Sequence, residues 1–134
     1  MDPGLARAAR GDFGPVAAEE RGALFEGWVA QTLRSYQAYL DDWEEMRYWA
    51  PTEAKGVEVD FLLRQGRAYV AIEAKSGTRI RPEWFKGLKA IADLNGIKRR
   101  ILVYQGRQSI RTSDGIDVLP VEDFLKEIDA HHLF

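Results

Sequence analysis

The chain has 134 residues and a mass of 15.2 kDa, with 46% apolar and 30% charged side chains, which suits one globular domain burying about two-thirds of its unfolded surface. No apolar run approaches the ~20 residues of a membrane helix, and the first residues lack the basic-then-apolar order of a secretory signal. Zero cysteines exclude disulfides and thiolate zinc sites, so a cytoplasmic protein without membrane contacts is expected.

Residues 1 to 18 are rich in Gly, Ala and Pro and read as an N-terminal arm or a join to an upstream region. Residues 19 to 134 make the folded unit. From Glu19 to about Leu40, Phe25, Val29, Leu33, Tyr36 and Leu40 recur at helical spacing, and Trp28 widens the stripe. Glu26 sits beside that stripe among the small residues Gly22, Ala23 and Ala30, which lets its carboxylate approach a sheet closely. Residues 46 to 49 form a short strand, and Pro51 to Gly56 a polar turn. Residues 57 to 64 and 68 to 75 then read as a hairpin joined at Gln65-Gly66, completing three antiparallel strands.

Pro82 and Glu83 open a second helix, where proline is tolerated and an acid favoured, and it ends near Asn95-Gly96. Trp84, Leu88 and Ile91 give it a core face, leaving Lys86 and Lys89 outside, with Arg79 and Arg81 just before them. Arg100 to Tyr104 is an apolar strand that returns after a helix, so it pairs in parallel with a hairpin strand by a right-handed crossover. A polar loop spans residues 105 to 114 and an edge strand Ile116 to Leu119. Val121, Phe124, Leu125 and Ile128 mark a last amphipathic helix.

The hairpin carries the functional signal. The strand period of two puts Val57, Val59, Phe61 and Leu63 with Ala68, Val70, Ile72 and Ala74 on one face, and Glu58, Asp60, Leu62 and Arg64 with Tyr69, Ala71, Glu73 and Lys75 on the other. A turn at Gln65-Gly66 sets Arg64 opposite Arg67, and therefore Asp60 opposite Ala71 and diagonal to Glu73. Two carboxylates and an ammonium on one face are the parts that a hard cation and a phosphate need, because magnesium is held by one or two carboxylates plus waters or substrate phosphate. The plainer reading is a hairpin with its charges solvated on a wet face.

Charge is divided along the chain. Residues 1 to 74 hold 8 basic and 13 acidic side chains, residues 75 to 111 hold 10 and 2, and residues 112 to 134 hold 1 and 6. The positive segment begins at Lys75 and contains Arg79, Arg81, Lys86 and Lys89, a stripe suited to the phosphates of a nucleic acid. His131 and His132 are adjacent near the chain end and make a poor metal pair, since successive helical side chains diverge. Trp28, Trp49 and Trp84 fall at apolar-patterned positions and are expected to pack.

At Asp60 and Glu73-Ala74-Lys75 the chain resembles the PD-(D/E)xK nuclease superfamily, although Val59 stands where the eponymous proline would be. More narrowly it looks like the uncharacterised domain found C-terminal to AAA+ type ATPase modules in prokaryotes. The matching features are Asp2-Pro3-Gly4-Leu5, Gly22-Ala23-Leu24-Phe25-Glu26, Tyr48-Trp49, Glu58-Val59-Asp60-Phe61, Ile72-Glu73-Ala74-Lys75 and Val118-Leu119-Pro120. The resemblance implies a restriction-endonuclease-like α-β-β-β-α-β core with a mixed sheet, plus a C-terminal strand and helix, and sequence patterning agrees with that order. It further implies Mg2+ or Mn2+ held by Asp60 and Glu73, with the Ala74 carbonyl a candidate third ligand. Glu26 would complete the metal shell through a water, and Lys75 would orient the attacking water. DNA is the expected substrate and an ATPase module the expected neighbour. Some superfamily members bind nucleic acid without cutting it, so a non-catalytic accessory domain is the alternative.

Overall fold

The computed structural model describes residues 18–134. The expected arm over residues 1 to 18 therefore lies outside the described residues except for Ala18, which begins the first helix. That helix, α1 (Ala18–Leu40), carries Glu19 and Glu20 in its first turn, where acids favour the helix dipole. It buries Phe25, Val29 and Leu33 and stops at Asp41, whose φ of 60° is left-handed. Asp is one of the few side chains that adopts this conformation at low cost.

Next come β1 (Glu45–Trp49), β2 (Val59–Gln65) and β3 (Ala68–Lys75), then a helical segment, β4 (Ile97–Tyr104), β5 (Ile110–Arg111), β6 (Ile116–Pro120) and a final helix, α3 (Val121–Asp129). The strands form one mixed six-stranded sheet in the order β1-β2-β3-β4-β6-β5. β1, β2 and β3 run antiparallel in succession, whereas β3, β4 and β6 are mutually parallel. This is the α-β-β-β-α-β order of a restriction-endonuclease-like core with a C-terminal strand and helix appended.

Both faces of the sheet are covered. One cluster joins Phe25, Val29 and Leu33 of α1 and Phe124 and Ile128 of α3 to Phe61, Leu63, Val70, Ile72, Ile101 and Val103. The other joins Phe85, Leu88 and Ile91 to Leu62, Ala71, Leu102 and Val118. Central strands buried on both sides read as continuous apolar runs, which is the pattern of Val70 to Ile72 and Ile101 to Val103. The hairpin face expected to be wet is thus roofed by the helical segment, and the reading of its charges as solvated does not hold for Glu73.

Four expectations are corrected. The hairpin turn is Gly66-Arg67, with Gln65 opposite Ala68 and Phe61 opposite Ile72, because Gly66 supplies the positive φ of 60° that a tight turn requires. The second helix is not continuous. Residues Pro82–Phe85 are 3₁₀, Lys86–Ala90 form the one-turn helix α2, and Ile91–Asp93 are 3₁₀ again. The buried Phe85, Leu88 and Ile91 recur every three residues, and a 3₁₀ segment keeps such positions on one side. The strand at residues 116–120 is internal rather than an edge, since Ile110–Arg111, in the expected loop, pairs with it as β5. Finally, Val59 packs in the second cluster while Phe61 packs in the first, so strict alternation breaks at Asp60.

The break has a visible cause. Arg47 lies opposite Leu62 but Trp49 lies opposite Val59, so three steps along β2 match two along β1, and one extra residue bulges between Val59 and Leu62. A bulge re-aims the side chain it carries.

Candidate functional site

Asp60, on the bulge, faces the end of β3 and accepts a hydrogen bond from the Ala74 main-chain N–H through Oδ2 at 2.9 Å. In return the Asp60 N–H donates to Glu73 Oε1 at 3.3 Å. The corrected register places position 60 directly across from position 73 instead of diagonal to it, and the reciprocal bonds close that pair. Two acids thirteen residues apart are joined by one turn and one bulge.

Glu73 is 3% exposed, the one buried charged side chain among the described residues. Burial, and then the Asp60 carboxylate beside it, push its carboxyl up to about 10, with Lys75 pulling the other way. At neutral pH in the absence of a cation the Glu73 carboxyl therefore keeps its proton, because burial beside another acid disfavours its charged form. Among the described residues neither acid forms an ion pair with arginine or lysine; the arginine of the same strand, Arg64, is engaged at the far end of the hairpin by Glu44 and Glu45, each at 2.9 Å.

Glu26 on α1 is exposed, yet partial burial and then Asp60 and Glu58 raise its carboxyl above the usual range, while Lys75 lowers it. Glu26 thus senses Asp60 and Lys75, and Glu73 senses the same two, so four of the expected site residues are linked electrostatically across three elements. Tyr48 and Glu58 belong to the same surroundings, although sequence reasoning gave them no site role. The Tyr48 hydroxyl donates to Glu58 Oε2 at 2.6 Å, and Glu58, followed by weaker effects of burial, Asp60 and Glu73, raises the Tyr48 hydroxyl. The available signal was their place on adjoining strand ends, with Tyr48 on β1 and Glu58 leading into β2.

The donor set fits a hard divalent cation of the magnesium type. Asp60 and Glu73 supply two carboxylates, the number such an ion commonly takes from protein, with waters or a substrate phosphate completing the shell. No three carboxylate or imidazole side chains among the described residues converge into a closed cage, so Glu26 does not join the pair as a third close ligand.

The basic residues divide. Arg79 and Arg81 are exposed and line a groove that starts at Ser76, beside Lys75. Lys86 is exposed on α2, whereas Lys89 lies near Asp114, whose carboxyl is lowered mainly by the Thr112 hydroxyl and, more weakly, by Arg100 and Lys89. Asp114 precedes β6, at the end of the parallel strands away from Lys75. Arg99 and Arg100 of the positive segment serve the fold: Arg99 holds Asp117 at 2.8 Å and Glu127 at 2.7 Å, and Arg100 donates to the Leu88 and Asp114 carbonyls. His131 and His132 are exposed and contact Asp42 and Glu127.

Residues 21–124 match the domain of unknown function DUF4143. The chain belongs to this family. DUF4143 domains are commonly found with AAA ATPases. No curated protein matches the chain. No helix among the described residues of this DUF4143 domain is long and apolar enough to cross a membrane.

Proposed function

We propose that this DUF4143 domain is a PD-(D/E)xK-type nuclease that hydrolyses DNA phosphodiesters with Mg2+ or Mn2+ and works beside an ATPase module of its parent protein. The observation that carries the reading is Glu73: a carboxyl group buried to 3% exposure, paired with a second acid and in no ion pair with arginine or lysine among the described residues. Such an arrangement costs stability unless a proton or a cation occupies it. In a purely structural pair, arginine or lysine is the usual partner.

Asp60 and Glu73 would hold the ion, with the Ala74 carbonyl beside them. A divalent ion bound there supplies Lewis acidity at the phosphoryl oxygen and eases ionisation of water. Lys75, two residues beyond Glu73 at the half-buried end of β3, places an ammonium where negative charge grows on the phosphate and aligns the attacking water. Glu26, with its raised carboxyl, accepts a hydrogen bond from that water and keeps it on the α1 side of the site. Arg79 and Arg81 grip the flanking backbone phosphates.

Incubation of the protein with Mn2+ and mixed DNA substrates, alongside Glu73→Ala and Lys75→Ala, tests this. Cleavage by the wild type alone is expected, and cleavage that persists in both variants removes the assignment. A second reading is favoured by the lack of a three-acid cage among the described residues: an accessory domain that keeps the fold and binds nucleic acid for its ATPase without cutting it. Metal-indifferent DNA binding with a steep salt dependence and no hydrolysis would select it.

A further inference from the structure

Immediately past Lys75, the chain leaves β3 as Ser76-Gly77-Thr78-Arg79 and borders a groove of about 620 Å3. Among the described residues its walls include Ala18, Ser76, Thr78, Arg79, Arg81 and a Trp84 that packs partly on the second cluster, with Glu83 as its acid. The loop is held in shape from β4. Gln105 Oε1 accepts from the Gly77 N–H at 3.1 Å and from the Ser76 hydroxyl at 3.4 Å, and the Gln105 N–H donates to the Gly77 carbonyl at 2.9 Å. Gly77 has a φ of 145° and rests on the indole of Trp84, so close that a Cβ there would stand 3.2 Å from the ring. Arg79 and Arg81 are exposed and unpaired among the described residues.

We propose that this groove receives a single-stranded nucleic-acid segment flanking the reacting phosphodiester, with backbone phosphates on Arg79 and Arg81 and a base against Trp84. The inference rests on the nuclease-type reading of the neighbouring site and specifies the form of its substrate. Three features select a single strand. The volume is that of a pocket for one small ligand, matching one or two nucleotides. The walls join two cations and two hydroxyls to one half-buried aromatic ring, the pairing of charge and stacking surface that single-strand binders use. A duplex keeps its bases stacked inward and presents phosphates but no free ring to Trp84. Gln105 is a positioning residue, since it fixes the loop without lining this groove.

The test is equilibrium binding in EDTA, read by anisotropy of a fluorescein-labelled oligothymidylate and of a labelled blunt DNA hairpin with the same number of phosphates. The oligothymidylate is expected to bind more tightly than the hairpin. Trp84→Leu should weaken the oligothymidylate by about fivefold or more and leave the hairpin unchanged, with Trp84→Phe restoring most of the loss. Arg79→Ala and Arg81→Ala should each lower the salt slope of oligothymidylate binding by about 0.7. Equal or tighter hairpin binding overturns the proposal, as does equal weakening by Leu and Phe or an unchanged salt slope in both arginine variants. Because the assay contains no metal, it is independent of hydrolysis. Failure here with Glu73-dependent cleavage intact removes the groove alone, and groove binding without cleavage in Mn2+ removes the nuclease reading alone.

Discussion

Glu73 is the residue at which burial and charge conflict most sharply. Its carboxyl is neutral in the fold up to about 10, against an ordinary value of 4.5. Between those values the folded state binds more protons than the unfolded chain. The stability contributed by that bound proton is complete below 4.5 and is lost progressively as pH rises toward 10. In metal-free buffer, thermal melts of the wild type should therefore show falling stability across this window. Glu73→Gln keeps the shape and removes the proton linkage, so it should flatten the profile and exceed the wild type by more than about 1 kcal/mol at pH 8. Parallel profiles for the two proteins would show that Glu73 titrates normally. The proposed role of Lys75, by contrast, is in the chemistry rather than in stability. Lys75→Ala should leave the melting temperature within a degree or two and lower turnover on the order of 10²-fold or more, measured under saturating Mn2+.

Among the elements, the broken helical segment matters most to the site because it covers the hairpin at Leu62 and Ala71 and touches the entry to β2. A methyl on Gly87 would overlap the Glu58 carbonyl oxygen, so only glycine lets α2 approach the strand that leads into Asp60. Gly87→Ala should cost about 1–3 kcal/mol in urea unfolding and also weaken metal binding by displacing the bulge. Gly22, on α1, has open space where a Cβ would stand, and Gly22→Ala should stabilise by about 0.5–1 kcal/mol. A cost at Gly22 and none at Gly87 would reverse this picture. The elements differ in how far sequence exposes them. α1 was legible because its stripe repeats over many turns, and the β3–β4 parallel pair because a helical segment must cross between them. The bulge at Asp60 was not, since period-two alternation assumes one residue per step and nothing in Val59-Asp60-Phe61 marks the extra one. Nor was the roof over the hairpin, which depends on Phe85, Leu88 and Ile91 being spaced by three where a regular helix would space them otherwise.

At the scale of the whole molecule, the positive segment from Lys75 to Arg111 has two employments that its charge count hides. Arg99 ties β6, α3 and the chain end together through Asp117, Glu127 and the His132 carbonyl, whereas Arg79 and Arg81 face solvent at the groove. Arg99→Ala should destabilise by about 3 kcal/mol, because it strands two partly buried carboxylates, and leave DNA affinity per folded molecule unchanged. Arg81→Ala should do the opposite. Paired unfolding and anisotropy measurements distinguish them, and a swap of the two phenotypes would show that the assignment of cations to fold and ligand is inverted.

The site itself was half visible in the sequence. Asp60, Glu73 and Lys75 could be gathered on one side from alternation alone, whereas Glu26 needed the family resemblance beside its small neighbours. The depth of Glu73 could not, because it comes from a distant segment folding over the hairpin. On the proposed reading, that depth makes the proton and a divalent ion competitors for one place. Calorimetric titration of Mn2+ or Mg2+ into the metal-free protein, in buffers of differing ionisation enthalpy at pH 6.5 and 8, reads this competition directly. The account predicts binding that releases about one proton, tightens at the higher pH and is lost in Asp60→Ala. Binding with no proton release and no pH dependence, or binding retained in Asp60→Ala, would contradict it.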